Sequence, residues 1–550
     1  GPARLEGWSG LAAGAYRDGL LALVRDVDAL SLALRRIASQ VLDHADLLRR
    51  LLARHDDLVA TAAALGHGIE VLRHDVVAAT PDRIVLLAPV LQARSDAVAA
   101  HVADHEADRE RWLLDLAAAE REMGVVFARL LDLDDVVRRF AGEPDPADEA
   151  LATMPPPGSP PADVRSWWAR LPPAARAALL VAAPGAIGNL AGVPALARHR
   201  ANTVRLERDL AGLRDLESRG GLSRGDQERL RSVEAAAAAL AGLAGRLDPR
   251  TGEDVPVRLY LYDPTAFGGD GAVAVAVGDP DAADDVSVLV PGMGTDAADI
   301  ETLTDQALTL YEAARVEDGQ ASHAALAWIG YDAPDNVPGL PGIGGPGGDV
   351  VGVLGEGMAA RGGLRLAEAV EGLRDERRRA PADLTVIGHS YGSTTVGFAA
   401  HDHGLRVNDL VVLGSPGLGG DVGTVRDLGL GPEQVWVGAS SRDPVAAVGG
   451  HGAFHLGTFW GAGLGTDPAG DAFGATRFRA ESTSRGLLDS LDDHQRYLDP
   501  GSESLKHLAE IVTGHHDEVL RAEPVRDPWW RGPVDPEHAR APASYGTGVR

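Results

Sequence analysis

The chain has 550 residues, 45% hydrophobic and 24% charged, which is ordinary for a soluble globular protein and too long for one core, so about two or three domains are expected. Its formal net charge of −28 argues against nucleic acid or an anionic membrane surface as a partner, since both would repel it. There is no cysteine, which excludes disulfides, thiolate nucleophiles and Cys-based zinc sites.

In chain order, residues 1–141 read as a helical hairpin of coiled-coil type. Tyr16, Leu20, Leu23, Val27, Leu30, Leu34, Ile37 and Val41 alternate spacings of four and three, and Leu48, Leu51 and Leu58 continue the register. His44 and His55 occupy the remaining seam positions and read as packing residues rather than ligands. Such a seam needs a second helix. Pro89 to Phe140 is the natural antiparallel partner, with Gly66 to Pro81 holding the connection. His101 and His105 share a helix face, but no H-E-x-x-H carboxylate accompanies them, so no metal site is expected there.

Residues 142–163, with Met154-Pro155-Pro156-Pro157-Gly158-Ser159-Pro160-Pro161, read as a polar Pro-rich linker without the means to bury a core. Residues 164–250 read as a helical bridging segment interrupted at Gly220-Gly221-Leu222-Ser223. From Val257 the period changes. Val257 to Tyr262, Gly271 to Val277, Val286 to Val290, Ala325 to Ile329, Leu384 to Ile387, Leu410 to Leu413 and Val435 to Val437 are short apolar runs. Ala297 to Val316, Ala359 to Arg378 and Ser393 to His403 are helical between them. This alternation predicts, over residues 251–520, an α/β domain whose mainly parallel sheet is flanked by helices. Residues 521–550 read as a flexible tail. No apolar run is long enough to cross a bilayer, so no integral membrane segment is expected. No signal peptide is visible, which fits a cytoplasmic protein or one exported without a cleavable signal; the start at Gly1-Pro2 is also compatible with a leader already removed.

Gly388-His389-Ser390-Tyr391-Gly392 carries the chemistry. In a chain with 67 glycines a G-x-S-x-G pattern is weak alone, but here a strand leads into it and a helix follows. That context predicts a nucleophile elbow, with Ser390 on a sharp turn and the Tyr391 amide at a helix N-terminus, where it can hold an oxyanion. Acid and base should follow in that order. Asp443, after the Val435 strand, is the expected acid, with Asp467 as the alternative. His494 is the expected base, in preference to His451, His455, His507, His515 and His516. Thr476 to Arg479 is the only candidate for the strand before it. The second oxyanion amide is expected from Met293, in the Gly-flanked turn Pro291-Gly292-Met293-Gly294-Thr295 after the Val286 strand. Gly339 to Gly348 lacks the Lys and Ser/Thr of a P-loop and reads as an edge of the site mouth; Gly449 to Gly465, with Phe454, Phe459 and Trp460, reads as an apolar lid or as loop packing.

Val290-Pro291-Gly292-Met293-Gly294-Thr295, Gly388 to Ser393, and Asp467-Pro468 followed by Phe473-Gly474-Ala475-Thr476-Arg477-Phe478 together resemble an actinobacterial α/β-hydrolase family long catalogued as a domain of unknown function. Ile187 to Pro194 and Arg200-Ala201-Asn202 are similar to its N-terminal signature, although that family favours an acid where this chain has Ala191. The resemblance covers Trp167 to Val519 and implies an α/β-hydrolase fold with Ser390, Asp443 and His494 as a triad. Trp8-Ser9-Gly10 before Ala12 to Arg17 resembles the turn of WXG helical-hairpin proteins of type VII secretion, which implies a protein partner for the N-terminal helices. The expected activity is hydrolysis of an ester or related acyl bond in a small substrate, with no metal or organic cofactor. The competing expectation is a non-catalytic or export-linked interaction protein on a hydrolase-like scaffold.

Overall fold

The computed structural model describes residues 146–550 apart from 157, 249–251, 253, 336–355, 376–381, 444, 447–463, 482–492, 524, 527–532, 535–544 and 546–550. Of the first 145 residues it describes 44–45, 47–55, 57, 60–61, 101, 108 and 111. The chain divides into two compact units, Gly1–Asp145 and Pro146–Arg550. In the first, every described position is helical; His44 and Leu51 on the predicted seam are buried, while Arg49, Arg50, Leu52 and Ala53 are exposed. Trp8-Ser9-Gly10 and nearly all of the predicted second helix lie outside the described residues.

The second unit starts earlier than the sequence reading placed it. The stretch read as a linker holds helix α1 (Pro146–Ala152) and the start of α2 (Pro161–Arg170), followed by α3 (Pro173–Ala182) and α4 (Pro184–Gly188). Ala147, Ala150, Val164, Trp167, Trp168 and Leu179 of these helices form one buried cluster. The correction has a simple cause. Pro146, Pro161, Pro173 and Pro184 each stand at the first position of a helix, where the missing N–H costs nothing and the fixed φ suits the turn. Helices α5 (Ala195–Ser218) and α6 (Arg224–Leu243) follow, separated at the predicted Gly220-Gly221 break, and Ser223 caps α6 in a reciprocal box with Asp226.

An eight-stranded sheet makes up the body of this unit, in the order β1-β2-β4-β3-β5-β6-β7-β8. Its strands are β1 (Val257–Asp263), β2 (Ala272–Val277), β3 (Asp285–Val290), β4 (His323–Ile329), β5 (Asp383–His389), β6 (Asp409–Leu413), β7 (Val435–Gly438) and β8 (Thr476–Phe478). β2 runs antiparallel to both its neighbours, and every pairing from β4 to β8 is parallel. The period of two sorts the side chains. Val286, Val288, Leu384, Val386, Leu410 and Val412 enter one core with helices α8 (Gly357–Asp375) and α9 (Tyr391–His403). Leu289, Ile387, Val411 and Leu413 enter the other, beneath α5, α6, α7 (Ile300–Glu317) and α10 (Glu503–Val512). Strands covered on both faces read as continuous apolar runs, which is how they were legible.

Both sheet edges are closed. On β1, the outward Leu259 N–H donates to His199 Nδ1 (3.0 Å) and Leu259 C=O accepts from Asn202 Nδ2 (3.1 Å). Asn189 bonds both the N–H and the C=O of Tyr262 (2.9 Å each), and Arg205 Nη1 adds a second donor to that carbonyl. Burial, then Arg258 and Arg200, push the His199 imidazole down to about 4, which keeps Nδ1 an acceptor. At the other edge Arg479 N–H donates to Leu520 C=O and Ala522 N–H to Arg477 C=O. The stretch read as a flexible tail contributes this strap, the pair β9 (Val525–Arg526) and β10 (Pro533–Val534), and a hydrogen bond from Tyr545 N to Gly501 O. Covered edges cannot recruit a foreign strand.

Candidate active site

Ser390 joins β5 to α9 with φ 55° and ψ −129°; among the described residues only it and Phe267 have positive φ without being glycine. A side chain held there costs about 1–3 kcal/mol and persists only if its surroundings fix it. They do. Ser390 N–H donates to Leu413 C=O of β6 (2.9 Å), and Ser390 C=O accepts from Ser393 N (2.9 Å) and Ser393 Oγ (2.6 Å). The flanking glycines let the elbow close: a methyl on Gly392 would fall 2.4 Å from the carbonyl oxygens of Val290 and Pro291, and one on Gly388 2.7 Å from Ser393 Cα.

Asp443 lies in the loop after β7 and is 1% exposed. His494 lies on a 3-10 turn, Asp493–Gln495, and its Nδ1 is 2.9 Å from both carboxylate oxygens. Since a carboxylate only accepts, Nδ1 carries the proton and Nε2 is left with a lone pair. Tyr497 O–H donates to Asp443 Oδ2 (2.7 Å) and accepts from Ser440 N–H (3.0 Å), while Val445 N–H donates to Oδ1 (2.8 Å). Burial pushes the Asp443 carboxyl up, but the hydrogen bonds from His494 and Tyr497 outweigh it and hold the group below the usual carboxylate range. Burial, then the Asp443 charge, push the Tyr497 phenol well above its ordinary value, so it stays a donor.

The serine lies beside this pair. A methyl on Gly414, one residue beyond the carbonyl that holds Ser390 N–H, would fall 2.5 Å from Asp443 Oδ2 and 2.9 Å from His494 Nδ1. The ring of His389, the residue before the serine, is 4.7 Å from the His494 ring. Among the described residues no hydrogen bond joins Ser390 Oγ to His494; in ligand-free hydrolytic sites this contact is often long and tightens when substrate binds.

The loop after β3 abuts the nucleophile, for a methyl on Gly292 would sit 2.6 Å from Ser390 Cβ. It is clamped on both sides of Met293: Tyr331 O–H donates to Pro291 C=O (2.7 Å), and Gly294 N–H donates to Pro334 C=O (2.8 Å). Met293 and Tyr391 thus bring their amides to the same end of the sheet as Ser390.

Of the other candidates, Asp467 accepts from Ala469 N–H in a local turn. His507 bonds Glu510, His515 bonds Thr513 and His516 bonds Asp409; His451 and His455 lie outside the described residues, as do 339–348 and most of 449–465. Thr476–Phe478 is the last strand of the eight-stranded sheet and precedes His494, as the reading required. The sequence reading missed Tyr497, His389 and Tyr331. Tyr497 lies three residues beyond His494, just past the 3-10 turn, and nothing in the sequence sets it apart from a core tyrosine. Glu317, Glu510 and Glu518 form the one acidic grouping of metal-binding size among the described residues, and Lys506 Nζ, 2.7 Å from Glu317 and from Glu510, already supplies its cation.

Residues 266–452 match a family model described as "Alpha/beta hydrolase", a span that includes Ser390 and Asp443 and ends before His494. The chain is 37% identical over 407 residues to the "Uncharacterized protein Rv2079" of Mycobacterium tuberculosis, across 68% of this chain and 59% of that protein. It is 27% identical over 249 residues to "Uncharacterized protein Rv0963c" of the same organism, across 44% of this chain and 84% of that protein. A carboxyl esterase from Bacillus coagulans, crystallised with glycerol, aligns at a TM-score of 0.19 and 19% identity, over 29% of this chain and 45% of the esterase. The naproxen esterase of Bacillus subtilis aligns at 0.20 and 16%, over 36% of this chain and 52% of its own. Likeness that low says nothing about substrate. No helix among the described residues is long and apolar enough to cross a membrane. With the sheet order, the family match makes the architecture of Pro146–Arg550 that of the α/β-hydrolase fold.

Proposed function

We propose that the protein is a serine hydrolase that cleaves an ester or related acyl bond of a small substrate through an acyl-enzyme. The observation that carries this reading is the buried Asp443–His494 Nδ1 pair beside a serine held at positive φ. His494 Nε2 takes the Ser390 proton as Oγ attacks the carbonyl carbon. The Tyr391 and Met293 amides hold the tetrahedral oxyanion, and each such donor is worth about 10²–10³ in kcat. The protonated His494 then gives its proton to the leaving alcohol, leaving Ser390 acylated. Water, deprotonated by His494, attacks the acyl carbon and releases the acid with Ser390 restored. Asp443 keeps Nδ1–H oriented and stabilises the imidazolium in both halves. No step calls for a metal or organic cofactor.

A fluorophosphonate probe tests the reading, because it reports an activated serine without knowledge of the substrate. Wild type should be labelled and Ser390→Ala should not. Folded wild type left unlabelled, or a variant labelled as fast as wild type, would overturn it. Turnover of p-nitrophenyl esters of graded chain length then fixes the acyl size.

A further inference from the structure

We propose that His389, the residue between the first glycine and the serine of the elbow, is a positioning residue that fixes the catalytic imidazole of His494. This rests on the serine-hydrolase reading above. A base on a 3-10 turn of three residues has little regular structure to hold it, and Asp443 restrains only the Nδ1 side of its ring. His389 supplies two further restraints. Its Nε2 lies 2.7 Å from the backbone oxygen of His494, and because a carbonyl only accepts, Nε2–H is the donor and the tautomer is settled. Its ring also faces the His494 ring at 4.7 Å, tilted 35°, with Tyr497 on a third side at 6.0 Å from His389.

The placement is economical in sequence. β5 presents the nucleophile at Ser390 and the clamp at His389, so one strand end sets both partners of the proton transfer. Drift of the strand end would carry serine and base together and preserve their separation. Burial, then the neighbouring His494 ring, push the His389 imidazole down to about 4. Near pH 7 it is therefore neutral, and adds no positive charge beside the imidazolium that forms on His494.

Apolar residues of similar size remove the donor and keep the volume, so His389→Met and His389→Phe are the informative variants. Glutamine can return an N–H to the same carbonyl, so His389→Gln is the rescue. With the proton-transfer geometry loosened, kcat and the rate of fluorophosphonate labelling should fall together by about tenfold in both apolar variants, with KM changed less than twofold. His389→Gln should recover to within about threefold of wild type. Circular dichroism and the melting curve identify which variants are folded, and the two apolar side chains differ enough in shape that one serves if the other misfolds. A folded apolar variant labelled within twofold of the wild-type rate overturns the inference while leaving the hydrolase reading intact. So does a His389→Gln protein as slow as the apolar variants, because that would show packing of the ring alone to matter. Wild type that is itself unlabelled removes both proposals.

Discussion

The two ends of the parallel sheet carry the same side-chain pair and differ in what surrounds it. At the carboxyl end, Asp443 bonds His494. At the amino end, Asp285 lies 3.0 Å from His323, and Asp409 lies 3.1 Å from His516. Asp285, His323 and Asp409 are the first residues of their strands and are buried. On proximity alone, all three look like an acid orienting a base. The second ring nitrogen separates them. His323 Nε2 is 2.7 Å from Asp318 C=O, and His516 has the Ile511 carbonyl as a further partner, so in each ring a backbone carbonyl already engages a nitrogen that a catalytic base would need free. His494 Nε2 makes no hydrogen bond to protein among the described residues, and the strained serine is at its end of the sheet. At the amino end one Asp–His pair sits between β3 and β4 and the other ties β6 to the turn after α10; at the carboxyl end, where open α/β sheets bind their ligands, such a pair can do chemistry.

Substituting the acid at each end should separate the two roles most sharply. Asp443→Asn leaves the geometry but favours the wrong His494 tautomer, so kcat should fall about 10⁴-fold. Asp409→Asn should leave kcat within about twofold. It should cost on the order of 2 kcal/mol in urea unfolding, since the Trp436 indole (2.7 Å) and His516 both lose a charged acceptor. Comparable activity losses from the two would erase the distinction.

Gly414→Ala is the next largest. The glycine has φ 53°, and the added methyl would lie 2.5 Å from Asp443 Oδ2. Displacing the acid by about 1 Å should lower kcat roughly 10²-fold. Tyr497→Phe should lower kcat about tenfold. It should also cost about 1–2 kcal/mol of stability, because Asp443 loses a donor and the Ser440 N–H is left buried without an acceptor. If its stability alone falls, Tyr497 braces the loop and does not tune the acid.

The sheet and elbow were legible in the sequence because both rest on local rules. Buried parallel strands are short apolar runs, and a serine held at positive φ needs small residues on either side. Ser390, Asp443 and His494 were chosen as candidates by chain order, which is a property of the topology. Tyr497 and Tyr331 were not, since a phenol that bonds a carboxylate or a carbonyl looks in sequence like any core tyrosine. The prolines at 146 and 161 were misread because linkers and helix first turns both favour proline; what distinguishes the second is the apolar helical spacing that follows it, as in Val164, Trp167 and Trp168. The signature around Asn189 and Asn202 was read only as a family likeness, and its side chains finish the open edge of β1. A motif can mark structural need as strongly as chemistry.

The smallest expected effect concerns pH, and it has opposite signs at the two ends. The hydrogen bond to Asp409, then its charge, then Asp383, raise the His516 imidazole above its ordinary value. Folding therefore favours the protonated ring: the stabilisation is fully present below about pH 6.5 and is lost as pH rises through the raised value. His389 is held down at about 4, so folding favours its neutral form, and the stabilisation present above about pH 6.5 is lost as pH falls towards 4. Melting curves of wild type and His516→Ala should thus differ most near pH 5.5 and converge by about pH 9. The deficit of His389→Gln relative to wild type should instead shrink as the buffer is taken from pH 7 towards 4.5. The pair must be read together, because acid unfolding of the whole domain moves all three curves, and only the differences isolate one imidazole. A His516→Ala deficit that stays constant from pH 5.5 to 9 would mean that the ring packs against Trp436, 5.1 Å away, and carries no charge worth measuring.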